Sequence, residues 1–369
     1  MNAPDLSHEK ILVLVYGHVA DTLAALPGLR LLRNACPQAE IEVLCLRSVA
    51  PLLHGSGYVD HLVIWDDFAH KQGRVAKAEK AAMLAILSGR LRARRYGAVL
   101  VFHRSFRAFR RLATLVGARY VAGVSAGGDG YTHCAPPPAA GLESSQDENL
   151  RVLAAVGIAD DGQPARMRIS EADRAYARQL VGDSEGGPLI GIHPGSDWSC
   201  QQWLGHRFAE VANRLAATTG ARIVITGGRN ELRLEEEIAS ELTAAPIRCA
   251  GRTTLTQLAA VVERLDLLIS VNSAAAAIAR SLDTPLVVLL GPEDARLTGL
   301  GASKRVRIVQ PGAARWAGSW CEFGRWGLLS SCESPMCRGL SGLGQLEPTA
   351  VVGAGMEVLS ETMLQAQTA

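Results

Sequence analysis

Asp21 closes a short run, Tyr16-Gly17-His18-Val19-Ala20-Asp21, that lies between a strand-like segment and a helix-like one carrying Leu26-Pro27. An aspartate where a helix begins either complements the helix dipole as a cap or stands ready to take a proton from a hydroxyl. Gly17 stands alone, so no G-x-G-x-x-G dinucleotide fingerprint is present. Three later loops have the composition of ligand-binding turns. In Gly191-Ile192-His193-Pro194-Gly195-Ser196, Gly195 lets backbone N–H groups approach a phosphate and Ser196 adds a hydroxyl donor; the same residues also suit an ordinary strand exit. His193 reads as a structural histidine at a strand end. In Thr226-Gly227-Gly228-Arg229-Asn230-Glu231, Gly228 and Glu231 could seat a nucleotide, with Glu231 or Asn230 accepting from ribose hydroxyls; a plain βα turn is the other reading. In Ser270–Ala277, Asn272 or Ser273 caps a helix whose first turn is all alanine from Ala274, leaving N–H groups open to an anion. Gly291-Pro292-Glu293-Asp294 reads as a turn.

Among basic residues, Arg104 directly follows a strand-like run and has the best claim to a site, with His18 beside it in the first loop; the remaining positive charges around 70–80 and 107–111 read as solvated faces. Cys321, Cys332 and Cys337 lack the paired C-x₂₋₄-C spacing and the fourth ligand of structural zinc, and read as packed thiols.

The elements that must carry these loops alternate. Strands are expected at Ile11–Tyr16, Ile41–Leu46, Leu62–Trp65 and Ala98–Phe102, with helices at Thr22–Asn34 and Ala76–Arg95. After a Pro-rich polar break at Ala135–Asn149 and a helix at Asn149–Val156, the alternation restarts at Leu189–His193 and runs to Leu286–Leu290. Near-continuous apolar strands separated by helices predict parallel sheets covered on both faces. The fold class is therefore α/β, with two Rossmann-like doubly wound parallel-sheet domains whose strand ends offer a ligand cleft. The expected boundaries are 1–183 for an acceptor-binding domain, 184–346 for a nucleotide-sugar-binding domain, and 347–369 for a C-terminal helix turning back toward the first domain.

Net charge is +2 and aromatics are 5 %, which gives no polyanion bias and no stacking platform, so a nucleic-acid partner is excluded. No apolar run reaches the roughly 20 residues of a membrane span. Eight scattered cysteines in a chain large enough to fold without staples point to a reducing, cytoplasmic compartment.

In order and spacing, these features resemble glycosyltransferase family 9, the bacterial heptosyltransferases, over nearly the whole chain. The family's Gly-Asp and Leu-Pro correspond to Ala20-Asp21 and Leu26-Pro27. Its Gly-Ala…Gly segment falls at Gly117-Ala118 through Gly123, and its His-Pro-Gly-Ser with Lys-x-Trp at His193–Ser196 and Gln201-Gln202-Trp203. Thr-Gly-Gly falls at Thr226–Gly228, Asp-Thr-Gly-x-x-His at Asn272–Ala277, and Gly-Pro-x-Asp at Gly291–Asp294. The resemblance implies the GT-B fold and an inverting sugar transfer, typically from ADP-heptose, with no obligatory metal and no cofactor. Asp21 would be the base. Gly195, Ser196, Gln201, Gly228, Glu231, Asn272, Ser273 and Ala274 would form the donor site. His18 and Arg104 would lie toward a glycan, glycolipid or small-molecule acceptor, with peripheral membrane contact compatible with the chain. Gln201, Asn272 and Ala277 depart from the family's Lys, Asp and His. Those departures also suit another donor and a non-lipopolysaccharide acceptor, or a nucleotide-sugar-binding protein that has lost turnover.

Overall fold

The computed structural model describes residues 3–15, 17–66, 74–102, 107–127, 129–138, 143–182, 186–196, 201–291, 295–300, 303, 305–311 and 342–368. The chain forms two compact units, Met1–Arg168 and Ile169–Ala369.

The first unit opens on β1 (Lys10–Val15), whose Ile11–Val15 are at most 1 % exposed. Then come α1 (Val19–Ala35), β2 (Glu40–Cys45), the short α2 (Ala50–Leu53), β3 (His61–Ile64), α3 (Arg74–Ala93) and β4 (Ala98–Phe102). They are followed by α4 (Arg107–Leu115), β5 (Tyr120–Val124), β6 (His133–Ala135) and α5 (Ser145–Ala155). The six strands are parallel, in the order β3-β2-β1-β4-β5-β6. Apolar residues succeed one another along β4 and along β1 after Lys10 because helices cover both faces. The chain's direction of winding reverses between β1 and β4, and in such sheets ligands bind beyond the carboxyl ends of the strands at that reversal. Ser144 caps α5 by accepting the Asp147 N–H, so the helix starts at Ser145, four residues ahead of the expected Asn149.

Helix α1 comes close to the sheet because Gly28 has no side chain: a Cβ there would lie 2.9 Å from the Phe102 ring. One residue earlier, Pro27 sits inside the helix and, lacking an N–H, leaves the Leu23 carbonyl without its usual helical donor. At the other end of the sheet, Glu42 has a side chain only 2 % exposed. It accepts from Lys10, Arg94 and the Tyr96 hydroxyl. Burial alone would raise its pKa, but those three donors together hold it below the usual carboxylate range.

The second unit comprises α6 (Glu171–Val181), β7 (Leu189–His193), α7 (Gly205–Thr219), β8 (Arg222–Ile225) and α8 (Leu232–Ser240). It continues with β9 (Ile247–Arg248), α9 (Leu255–Glu263), β10 (Leu267–Val271), α10 (Ala274–Leu282), β11 (Leu286–Leu289), α11 (Ala295–Thr298), β12 (Val306–Val309) and α12 (Pro348–Thr368). Its strands run parallel in the order β12-β11-β10-β7-β8-β9, which repeats the winding of the first sheet. Here the reversal lies between β7 and β10. Helix α6 packs on α9 and so belongs to this unit, which begins at Ile169, whereas the sequence pattern places the boundary at 183/184. Helix α12 is seated on α7 and β10–β12. Its Val351, Val358 and Leu359 enter the same core as Leu215 and Leu267.

Candidate functional site

Asp21 is the third residue of α1. Its Oδ2 accepts the His18 N–H at 3.0 Å and its Oδ1 accepts from Ser145 Oγ at 3.4 Å. The carboxylate lies over Gly17, where a Cβ would be 2.3 Å from Oδ2; the glycine is what lets the side chain fold back onto the strand exit. Thr22 Oγ1 donates to the His18 carbonyl and closes the same turn. Asp21 thus closes the first turn of α1 as a capping-box residue and stands at the β1/β4 reversal. His18 is exposed beside it. Arg104 lies outside the described residues, as do Pro292–Asp294, Cys321, Cys332 and Cys337.

In the second unit, three strand exits adjoin. Strand pairing puts His193 of β7 opposite Ser270 of β10, and Ile192 opposite Ile225 of β8. His193 Nδ1 meets Thr226 Oγ1 at 2.9 Å, and Thr226 Oγ1 donates to the Ile192 carbonyl. Since the hydroxyl proton is engaged there, the histidine donates through Nδ1–H. Burial lowers the His193 pKa, against a weaker opposing pull from Glu231. His193 therefore ties the exits of β7 and β8 together, the structural role its sequence suggests.

Beyond His193, Ser196 Oγ donates to Gln201 Oε1 at 3.0 Å, and Gln202 Nε2 donates to the Ser196 carbonyl at 2.6 Å. The loop thereby brings Ser196 and Gln201 together and sets the orientation of the Gln201 amide. Glu231 ends a 3₁₀ turn after β8, and its carboxylate accepts the Gly228 N–H. It lies against Gly195, where a Cβ would be 1.6 Å from Oε1, and against Gly227, where a Cβ would be 2.9 Å from Oε2. In both units, then, a glycine just past the first strand makes room for a carboxylate.

Ser273 caps α10 by accepting the Ala276 N–H at 3.3 Å, and its Oγ lies 2.8 Å from the buried Ser270 Oγ. Asn272 precedes it, half-buried. Ala274 begins the helix and Ala275 and Ala276 are buried. So Gly195, Ser196 and Gln201 on one exit, Gly228 and Glu231 on the second, and Asn272, Ser273 and Ala274 on the third belong to neighbouring strand ends. Ser145, Thr226 and Ser270 complete these constellations; Thr226 and Ser270 lie in loops that the sequence marks, whereas nothing in the sequence marks Ser145, because its contact with Asp21 forms only on folding. Among the described residues no group of three or more His, Cys, Asp or Glu side chains is placed to share a metal ion. No described helix is long and apolar enough to cross a membrane. Chemically, the first unit offers a carboxylate able to accept a proton, and the second offers neutral donors and a carboxylate suited to a polyhydroxylated, phosphorylated ligand.

Comparison with known proteins bears on which ligand that is. The family model for glycosyltransferase family 9 (heptosyltransferase) matches residues 139–317. Lipopolysaccharide heptosyltransferase 3 of Escherichia coli is 27 % identical over 289 residues, 74 % of this chain and 81 % of the relative. A glycosyl transferase family 9 crystal structure from Veillonella parvula superposes with a TM-score of 0.79 at 22 % identity, covering 98 % of this chain and all of that one. The structure of E. coli ADP-heptose lps heptosyltransferase II gives 0.72 at 19 % identity, covering 95 % and 99 %. Both carry the same two-domain GT-B fold. Together these likenesses support a heptosyltransferase-like glycosyl transferase similar to glycosyltransferase family 9.

Proposed function

We propose that this enzyme transfers a heptose from ADP-heptose to an acceptor hydroxyl with inversion at the anomeric carbon, without a metal ion. Asp21 takes the hydroxyl proton, the acceptor oxygen bonds to the anomeric carbon, and the bond from that carbon to the phosphate oxygen breaks, releasing ADP. The observation that carries this reading is the placement of Asp21 at the winding reversal of its sheet, with both carboxylate oxygens hydrogen-bonded. In the second unit, Glu231 is suited to ribose hydroxyls, while Ser196, Gln201, Ser273 and the N–H groups of Ala274 and Ala275 at the start of α10 are suited to the diphosphate, whose charge grows as it leaves. The likeness in fold to E. coli ADP-heptose lps heptosyltransferase II supports that donor. His18 and Arg104 are assigned to the acceptor. The free thiols Cys36, Cys45, Cys134 and Cys249 suit a reducing compartment, and we place the reaction in the cytoplasm.

Asp21→Asn tests the assignment. Turnover should fall about 10²–10⁴-fold, the range for losing a general base, with ADP affinity nearly unchanged. Near wild-type turnover with a verified acceptor would reduce Asp21 to a helix cap.

A second reading is favoured by one specific feature. Gln201, Asn272 and Ala277 stand where the family pattern has Lys, Asp and His, so the donor site is less charged. A different nucleotide-sugar, or binding without turnover, fits that feature. A thermal-shift panel of nucleotide-sugars separates donors, because a ligand that binds only the folded protein raises its apparent stability.

A further inference from the structure

Three residues on one side of α5 meet three residues of α1 in order. Ser145 Oγ donates to Asp21 Oδ1 at 3.4 Å, and Asn149 Nδ2 donates to the Ala24 carbonyl at 3.3 Å. Leu153 Cδ1 lies 3.5 Å from where a Cβ on Gly28 would stand. Positions 145, 149 and 153 recur every four residues and so share a helix face. Numbers rise together along both helices, so α1 and α5 run parallel and both N-termini converge on Asp21, where their dipoles favour negative charge. Asn149 is 1 % exposed, and its Oδ1 has no partner. A buried unpaired acceptor is unfavourable, so the amide holds this seam through its donor at a cost in stability.

We infer that Ser145 is a positioning residue for Asp21, and that α5 is the element that sets where the base stands. This rests on the reading of Asp21 as the base. The His18 N–H anchors Oδ2 from within the first turn of α1, whereas Ser145 reaches Oδ1 from a different helix, 124 residues later in the chain. The two bonds together set the rotation of the carboxylate about its Cβ–Cγ bond. At 3.4 Å the second bond is longer than an unstrained O–H···O contact, and hydrogen bonds of catalytic groups commonly tighten in the reacting complex. A hydroxyl donating to a carboxylate favours its charged form. Removing it must therefore raise the proton affinity of Asp21 as well as loosen its aim.

Ser145→Thr and Ser145→Val decide the matter, because they have nearly the same shape and differ in hydroxyl against methyl. His18, Glu143, Asp147, Glu148 and Arg151, the charged or titratable groups on the neighbouring turns, are common to both. The Asp21 side-chain carboxyl carbon is followed by NMR against pH in full-length protein, with Asp21→Asn identifying the resonance; this readout needs neither donor nor acceptor. The threonine variant should titrate with wild type. The valine variant should have its midpoint raised by about one pH unit, a tenfold change in the acid dissociation constant. Turnover on ADP-heptose, with deacylated lipopolysaccharide core oligosaccharide as acceptor, should fall about tenfold in the valine variant and be restored by threonine, with the KM for donor little changed. Equal midpoints in the two variants would overturn the role of Ser145. Retained turnover in Asp21→Asn would instead overturn the base assignment and leave the midpoint comparison standing, so the two failures are distinguishable.

Discussion

Gly195→Ala would show whether the exit of β7 holds Glu231 in place for the donor. A Cβ at position 195 would lie 1.6 Å from Glu231 Oε1 and 2.1 Å from its Cδ, whereas side-chain carbons do not approach other atoms below 3.0 Å. The carboxylate must retreat by about 1.4 Å, the shortfall between those distances. Its bond from the Gly228 N–H cannot survive such a shift, and a hydrogen bond to a charged group is worth about 1.5–3 kcal/mol. The fold should be largely spared. Glu231 is the tip of a flexible, partly exposed side chain, and Gly195 does not have the positive φ that other glycines of this chain adopt. We expect a melting temperature within about 1–2 °C of wild type, the equivalent of roughly 1 kcal/mol in a chain of 369 residues. ADP affinity should fall about tenfold or more, a loss of at least about 1.4 kcal/mol. Calorimetric titration of ADP against wild type, Gly195→Ala, Glu231→Ala and the double variant measures this. Since alanine acts by displacing Glu231, it should cost little once Glu231 is gone, and the two losses should not add. Unchanged ADP affinity in a folded Gly195→Ala variant, or the same penalty with Glu231 absent, would refute the reasoning.

Gln201→Lys should tighten ADP binding several-fold by exchanging a neutral donor for a charged one, and Asn272→Asp should weaken it by placing negative charge at the start of α10; weaker or equal binding in Gln201→Lys, by the same calorimetry, would mean that position 201 does not face the diphosphate. Transfer should persist in excess EDTA, and inhibition reversed by added Mg²⁺ or Mn²⁺ would assign a metal to the reaction. Glu42→Gln should lower stability by about 2–3 kcal/mol in urea unfolding, toward the low end for breaking a buried ion pair because Lys10 and Arg94 reach solvent. Because the folded Glu42 carboxyl is depressed below its unfolded value of 4.5, its contribution is complete above that pH and is lost as pH falls below it, so wild type should lose more stability than Glu42→Gln between about pH 5 and pH 3.

Much of the architecture was legible in the linear pattern. Ile11–Val15, Ala98–Phe102, Leu189–His193 and Leu267–Ser270 are unbroken or nearly unbroken apolar runs, because each strand is buried on both faces; that signal is local and survives without knowledge of neighbours. The outer strands were harder. β5, β6, β9 and β12 are short or partly exposed, and α6 offers only Ala177 and Val181 to the core, so none produced a sustained period. The helix α5 was read from Asn149 because Ser144-Ser145 resembles loop composition until the Ser144 cap is seen.

For the site, the sequence by itself determined which residue types stand after which strands: Asp21 after the first, Ser196 and Gln201 after the seventh, Glu231 after the eighth, and Asn272 and Ser273 after the tenth. Sheet topology follows from that alternation, since parallel strands joined by helices admit few windings. Only the tertiary structure decided what each residue meets. Ser145 reaches Asp21 across 124 residues, and Thr226 reaches His193 across 33. Glu231 comes to rest on Gly195, where no other residue leaves room. A hydrogen bond or a steric allowance depends on separations of a few tenths of an ångström between segments whose order in the chain says nothing of their distance, and those separations exist only once the two sheets and their helices have packed.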